Sequence, residues 1–400
     1  MHLIKKISLL GTKAILALIL FVILAVIVTS ISPIYDFKAP EPFSGPDVFN
    51  PYSTLDTTHC WKRANFHTHT KVDGLFSECE HTPAEVYSAL EKFGYEIITF
   101  SNHNALTTHP FDTALQVNVY EHGYNLLKFH KLVFGSKDVN HFDHLLPLLA
   151  SQKQFQINLL KKDCDLIQFN HPTRTTALTR DELEKIGGYE LIELDSGRST
   201  ENEYWDWALS AGHYSFGLAN DDLHYPDRSR CIAVRTSFLC CPSASYKNIL
   251  QTLRSGCFYS MRVPDYGRGD WEAKYAGNKT LPSIKEIGLR DSTIYISLSE
   301  KADSIKVFGQ EHCTLSFAAN SDNLSYVMKY TDPYARFTAY FPKGEVIYSN
   351  AFARYDSSLT RSPYEKAAPE VNLVLTILFN LLLLILFAGD ILLLYRLFKK

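Results

Sequence analysis

The chain has 400 residues and carries 40 Lys and Arg against 43 Asp and Glu, a formal net charge of −3. That balance leaves no overall positive field, so nucleic acid is not an expected partner. The length allows one large domain or two moderate ones. The 23 Tyr and 25 Phe against 3 Met favour β-rich packing over a helical bundle, and His is plentiful at 15.

In chain order, residues 14–34 carry no charge, and "AILALILFVILAVIV" within them is unbroken apolar. A spanning helix needs about 20 such residues. A cleaved signal peptide is the competing reading. The run exceeds a usual signal core and "VTSIS" is a weak cleavage site, so an uncleaved anchor is expected over residues 1–34. Residues 35–60 are Pro-rich and aperiodic and read as a stalk.

From residue 61 to 271, strand-like runs ("RANFHTH", "EIITFS", "LIQFN", "LIEL", "YSFGLA") alternate with helical patterns. In "HTPAEVYSALEKFG", Thr82 and Glu85 have capping-box spacing. Val86, Leu90 and Phe93 form one apolar face there, and Gly94 marks the end. The alternation predicts an α/β domain with mainly parallel strands. Residues 272–355 switch to period-two alternation in "TIYISLSEKADSIKVFG", and "RFTAYFPKGEVIYSN" predicts a hairpin turning at Lys343 and Gly344. They are expected to form a small antiparallel β module beside the α/β domain.

Residues 356–369 read as a second stalk. Residues 370–397 are apolar on every face and predict a second transmembrane helix. Lys5, Lys6 and Lys13 precede the first span, and Arg396, Lys399 and Lys400 follow the second. The positive-inside rule then puts both termini in the cytoplasm and the domain between them on the extracytoplasmic side.

Residues of metal-binding type fall just beyond the strand-like runs. His67 and His69 sit in "NFHTHTKVDG", with Asp73 four residues on. His103 follows "IITFSN", Asp138 follows "KLVFGSK", and His144 lies in "HFDHLLPLL". His171 ends "LIQFNH", and Asp222 and His224 end "FGLANDDLH". In a parallel α/β barrel the C-terminal strand ends converge on one mouth. Imidazoles and carboxylates delivered there are the ligand set of a multinuclear metal site. In HxH, two imidazoles share a strand face and can grip one ion, and Asp222 with His224 pairs an oxygen with a nitrogen in the same way. Singly, each pattern has an ordinary explanation: a surface pair, a turn, an Asx-rich loop. Their order, each after a strand, points to metal chemistry.

"FHTHTKVDGLFSECEHTPAEVYSALEKFGYEIITFSNHNAL" resembles the first two motifs of the PHP (polymerase and histidinol phosphatase) superfamily, D-L-H-x-H-T-x-x-S-D-G and T-D-H-N. "IQFNHP", "GLANDDLH" and "LRSGCFYSM" are similar to its later segments, so the resemblance covers residues 65–261. It implies a distorted (β/α)7 barrel with two or three divalent ions, Zn, Mn or Fe, and hydrolysis of phosphate esters. Carried over position by position, it implies His67, His69 and Asp222 on one ion and His144 and His171 on a second. Asp73, His103 and His224 fall on a third. A carboxylate bridging the ions is expected from "LVFGSKDVN". The family pattern puts Lys137 at that position, so Asp138, one residue on, becomes the expected bridge by way of a bulge. Asn102 stands where the family carries an Asp that supports a ligand. Glu193 and Asp195 in "YELIELDSG" lie where similar segments carry a Glu, which either orients a ligand or bonds the next loop. The segment from "TDPYARF" to "FARYD" is similar to the β-rich tail of some bacterial members.

Phosphate recognition calls for arginine near the ions, and Arg174, Arg198 and Arg228 lie on mouth-side loops. His171 or His224 is expected to assist the leaving oxygen. Tyr225 and Trp205 are candidates for the pocket wall, with core packing the stronger reading for Trp205. The expected activity is a membrane-anchored, metal-dependent phosphoesterase. Its substrate class is a phosphorylated small molecule or a glycan- or lipid-linked phosphate. Amide or lactone hydrolysis on the same fold is one alternative, and a metal-binding sensor with a degraded site is another. None of the 8 cysteines forms a CxxC pair. Cys60 with Cys79 is a candidate disulfide by position, and buried free thiols are the alternative.

Overall fold

The computed structural model describes residues 2–56, 61–72, 77–111, 117–174, 178–195, 203–364 and 368–399, with side chains from residue 10 onward. The chain enters through the helix His2–Thr29 and leaves through the helix Leu373–Phe398. Both are long and apolar enough to cross a membrane, with mean hydropathy 2.7 over Leu10–Thr29 and 2.6 over Leu373–Phe398. They pack side by side. Just beyond them the strand Tyr35–Asp36 pairs antiparallel with Glu370–Val371. Asn372 caps the second helix, its side chain accepting from Leu375 N at 2.9 Å. Both helices therefore project from the same part of the folded domain.

The domain is mixed α/β and its strands form two open sheets. One is five-stranded, in the order Val119–His122, Lys131–Phe134, Leu166–Phe169, Leu191–Leu194, Phe216–Ala219. Every residue of these strands is buried, as fits strands covered on both faces. The other is eleven-stranded and carries Trp61–Asn65 and Ile97–Ile98 at one end. It continues through Arg235–Cys240 and Phe258–Arg262 into the antiparallel strands beyond residue 280. The β-rich C-terminal part thus shares a sheet with the strand that leads to His67.

The sequence predicts mainly parallel strands closed into a barrel, and the sheets differ from that in two ways. First, among the described strands, parallel ladders join only Trp61–Asn65 with Ile97–Ile98 and the last three strands of the five-stranded sheet. Lys131–Phe134 runs against both of its neighbours. Second, the sheets do not close. They meet through single β-bridges at one rim, Thr68 with Leu223 and His103 with Glu121.

Several local expectations correspond to what forms. The helix Pro83–Glu91 starts with the Thr82–Glu85 capping box, in which Thr82 N donates to Glu85 Oε2 at 2.7 Å. Val86, Leu90 and Phe93 are buried, and Gly94 takes a φ of +77° past the helix end. The hairpin between Tyr334–Tyr340 and Val346–Ser349 turns with Gly344 at a φ of +100°. Trp205 is fully buried, with its indole N–H donating to the Ser215 carbonyl at 2.9 Å, so it is a core residue. Cys79 carries a free thiol, and its candidate partner Cys60 lies outside the described residues.

Candidate metal centre

The two bridges assemble the site. At the first, His69 N donates to Leu223 O at 2.8 Å and Leu223 N donates to His67 O at 3.1 Å. Thr68 and Leu223 face each other, so the residues flanking them point together by strand alternation. HxH therefore lies directly across from Asp222 and His224. At the second bridge, Asn104 N donates to Glu121 O at 2.8 Å and Glu121 N donates to Asn102 O at 3.2 Å. That brings His103 beside Glu121.

Glu121 is the hub. Its Oε2 lies 3.1 Å from His67 Nε2, 3.3 Å from His69 Nε2 and 3.1 Å from His103 Nε2. Its Oε1 lies 3.2 Å from His130 Nδ1 and 3.1 Å from His171 Nε2. Asp222 Oδ1 stands opposite, 3.2 Å from His67 Nε2 and 3.3 Å from His69 Nε2. Glu78 Oε2 completes the open side, 3.1 Å from His103 Nε2 and 3.3 Å from His224 Nε2. Three overlapping groups can each hold a cation: His67, His69, Glu121 and Asp222; His69, Glu78 and His103; His103, Glu121 and His130.

The fit to metal rests on the ring nitrogens. His67 Nε2 and His69 Nε2 are buried and make no hydrogen bond among the described residues. The carboxylate oxygens are close enough but off the hydrogen-bond axis. Buried nitrogens left unpaired are costly unless something else takes their lone pairs. A divalent cation among two imidazoles and two carboxylates does so, with ligands that suit Zn, Mn or Fe.

Supporting contacts fix the ligands. Glu193 Oε1 sits 2.8 Å from His67 Nδ1, and Glu193 Oε2 accepts from His171 N at 2.7 Å, so this acid orients a ligand. Asn102 accepts from Thr70 N at 2.8 Å and donates to Thr70 Oγ1 and Thr107 Oγ1, each at 2.7 Å. It braces the loop of His69 against that of His103. Asp221 holds the next turn, accepting from Ala233 N, Val234 N and Arg235 N at 2.7–3.0 Å. Asn104, His171 and Asp222 take positive φ of +44°, +29° and +50°. Each costs about 1–3 kcal/mol for a residue with a side chain, and such strain gathers at functional sites.

Carboxylates and imidazoles in the cluster shift one another. Burial works against an imidazolium at His67, yet Asp222, Glu121 and Glu193 outweigh it and hold the group well above its usual range. Burial likewise opposes charge on His103, but Glu121 and Glu78 raise it to about 9. Burial alone would push Glu121 and Asp222 up; the surrounding imidazoles hold both well below the carboxylate range. Hydrogen bonds with His103 and then His224 lower Glu78 too.

Of the residues expected from sequence, His67, His69, His103, His171, Asp222 and His224 come together here. Asp138 does not. It is exposed and follows the strand Lys131–Phe134, whose end lies beside Leu166 at the rim opposite the site. Because this strand runs backward, its start faces the cluster, and His130 occupies that position. His144 is buried elsewhere, its Nδ1 bonded to the carbonyl of Thr29 at the end of the first apolar helix. Lys137 is exposed, on the same far loop as Asp138. Asp73 and Arg198 lie outside the described residues. Arg174 reaches the site and pairs through Nη1 with Asp222 Oδ2. Arg228 stacks 3.9 Å from the ring centroid of Tyr225, which is exposed at the mouth.

Sequence reasoning missed Glu121, His130 and Glu78. A signal for the first two exists: "VNVYEHGYNLLKFHKLVFG" reads as two strand-like runs around a Gly-Tyr-Asn turn. A hairpin there places Glu121 and His130 near one tip. Glu78 lies in an irregular loop and has no such signal.

No family model matches the chain, and no curated protein does. Among solved structures it is similar to a two-domain protein from Bacteroides vulgatus containing a predicted PHP-like metal-dependent phosphoesterase. The match has 16% identity over 79% of this chain and 100% of that one, with a TM-score of 0.40. A likeness this distant settles neither fold nor chemistry, which rest on the side chains above.

Proposed function

We propose that the chain is a membrane-anchored, metal-dependent hydrolase of phosphate esters of the PHP type. The observation that carries this is the convergence of five imidazoles on the two oxygens of one buried carboxylate, Glu121, with Asp222 opposite. His67, His69, Glu121 and Asp222 would hold one ion, and His103, His130 and His171 would share Glu121 around the others. Two or three ions bound there supply an activated water and neutralise phosphate charge.

The rest falls to the chain's own groups. Arg174, already aimed at the site through Asp222, is placed to hold a phosphate oxygen. His224 is less enclosed than His171, lies between Glu78 and Asp222, and is raised from its usual value despite burial. We assign it protonation of the leaving oxygen, while His171, held against Glu121, acts as a ligand. Lys5, Lys6 and Lys13 at one end and Arg396, Lys399 and Lys400 at the other support cytoplasmic termini and an extracytoplasmic domain.

Metal analysis of the purified chain beside His67→Ala, with a panel of phosphomonoesters, phosphodiesters and amides, tests this. The expected result is two or more ions and phosphate release, both lost in the variant. Activity on amides alone would sink the phosphoesterase reading.

A further inference from the structure

We propose that the loops beside the metal centre form a membrane-docking surface, and that the substrate is a phosphate ester carried by a bilayer lipid. The substrate half rests on the phosphoesterase reading above; the docking surface rests on geometry and on the two apolar helices spanning a bilayer.

Past Thr29, residues 30–34 run alongside the first two turns of the C-terminal helix. Ile34 N donates to Thr376 Oγ1 at 2.9 Å, and Asn380 Nδ2 donates to Ser32 O at 3.0 Å. Those turns already show Leu373, Val374, Ile377 and Leu378 to the outside, each more than half exposed. The apolar surface of the second helix thus begins about 10 Å nearer the domain than Thr29, the rise of two helical turns. Thr29 lies at or below the bilayer surface if Leu373 meets lipid.

The folded domain follows it down. Thr29 accepts from His144 through its carbonyl and from Leu145 N through Oγ1, the latter at 3.2 Å. Leu145 O in turn accepts from Leu126 N at 3.1 Å. At this level Leu126 is 66% exposed, Leu148 63%, Leu149 40% and Tyr124 60%. Water is a poor neighbour for so many large apolar side chains on two adjoining loops, whereas the headgroup–acyl boundary suits Leu and Tyr.

The same loops touch the metal centre. Tyr124 OH donates to His103 O at 3.3 Å, and its ring lies 6.0 Å from that of His103. Tyr124 N donates to Asp143 Oδ2 at 2.7 Å, next to His144. One short path of bonded residues therefore runs from a candidate ligand to the membrane span. A mouth held at this depth gives no advantage to a dissolved ester. It meets a lipid-borne phosphate at the high local concentration of the bilayer.

The test uses the full-length, metal-loaded chain in nanodiscs. Phosphatidic acid is the bilayer probe and p-nitrophenyl phosphate the soluble one. Depth is read from Leu148→Trp, against a parent with its 4 native Trp. Brominated acyl chains should quench the added indole and aqueous iodide should not. Iodide quenching without bromine quenching overturns the docking surface, including the case in which a second copy covers these loops. For the substrate, a triple variant (Leu126→Ser, Leu148→Ser, Leu149→Ser) should lower phosphatidic acid turnover about tenfold or more. It should leave p-nitrophenyl phosphate turnover unchanged. Equal losses on both probes, or turnover of the soluble probe alone by the parent, overturns the lipid substrate. Hydrolysis of neither probe with the ions bound overturns the phosphoesterase reading and the lipid substrate with it, and the depth measurement still decides the surface.

Discussion

Glu121→Gln, compared with Asp138→Asn, separates the centre seen in the structure from the one expected by sequence. Glu121 faces five imidazoles at 3.1–3.3 Å and is buried. At 3.2 Å and an effective dielectric of about 20, one such charge pair is worth about 5 kcal/mol before desolvation is counted. Removing one partner of a buried pair costs about 3–5 kcal/mol in practice. An amide keeps the shape and loses the charge, so a similar loss should appear in ion binding. At about 1.4 kcal/mol per decade, that is roughly a hundredfold to a few thousandfold in Kd. Isothermal titration with Zn or Mn reads the affinity, and elemental analysis reads the number of ions retained after dialysis. Glu121→Gln should retain at most one ion, and Asp138→Asn, exposed on the far loop, should match the parent. Full ion content in Glu121→Gln together with loss in Asp138→Asn would refute the assignment of Glu121 as the bridge.

Other outcomes follow from the structure. His130→Ala should lose an ion while His144→Ala keeps the full complement, read by elemental analysis; the reverse would restore His144 as a ligand. Arg174→Met should raise KM for a phosphate ester about tenfold to a hundredfold, the range for a hydrogen bond to a charged group, with ion content intact. Ion loss with unchanged KM would instead make Arg174 only a clamp on Asp222. His103, at about 9 in the metal-free chain, and the raised His67 must release protons to bind an ion. Ion affinity should therefore climb with pH until about 9, with proton release measurable in weakly buffered solution. These two groups also stabilise the metal-free fold fully below about 6.5, the unfolded His value, and lose that contribution as pH rises through the folded values. Glu121 and Asp222 act oppositely, stabilising above about 4 and losing it on acidification, so the melting temperature of the metal-free chain should fall at both extremes. Finally, buried Asp206 accepts from Arg336 Nε at 2.9 Å and Tyr334 OH at 3.1 Å, joining the helix Glu203–Ser210 to the β-rich part. Asp206→Asn should cost about 3–5 kcal/mol in urea unfolding, and an unchanged midpoint would show the pair to be dispensable.

Much of the site was legible because its chemistry is local. HxH and DxH need only strand alternation to aim both side chains one way, and "NFHTH" and "NDDLH" carry that alternation in five letters each. The capping box of Thr82 and Glu85 and the Gly344 turn are equally short-range. The bridge was not legible, because it depends on the direction of a strand. "KLVF" is buried throughout and reads the same whether it runs with or against its neighbours. A parallel barrel would put the site at the loop after it, which carries Asp138. The antiparallel pairing of Val119–His122 with Lys131–Phe134 sends it instead to the residue before, His130, and to the partner strand, where Glu121 lies. The same reversal leaves His144 away from the cluster, bonded to the carbonyl of Thr29 at the end of the first apolar helix.

The open sheets would give a bound metal a second role. His67, His69 and His103 follow strands of the eleven-stranded sheet, whereas Glu121, His130, His171 and Asp222 belong to the five-stranded one. Among the described residues, backbone pairing across the junction is limited to the two single bridges. The centre therefore straddles a seam that the backbone alone barely closes. In the metal-free chain the seam is crossed by close contacts of His67, His69 and His103 with Glu121 and Asp222, and charge buried there carries a desolvation cost. Cations bound by both sheets would replace those contacts with ligand bonds and draw the protons off. Because such binding favours only the closed arrangement, its free energy adds to the stability of the fold. The left-handed strain at Asn104, His171 and Asp222 sits on that seam. Cations bound across the seam would offset the cost of that strain.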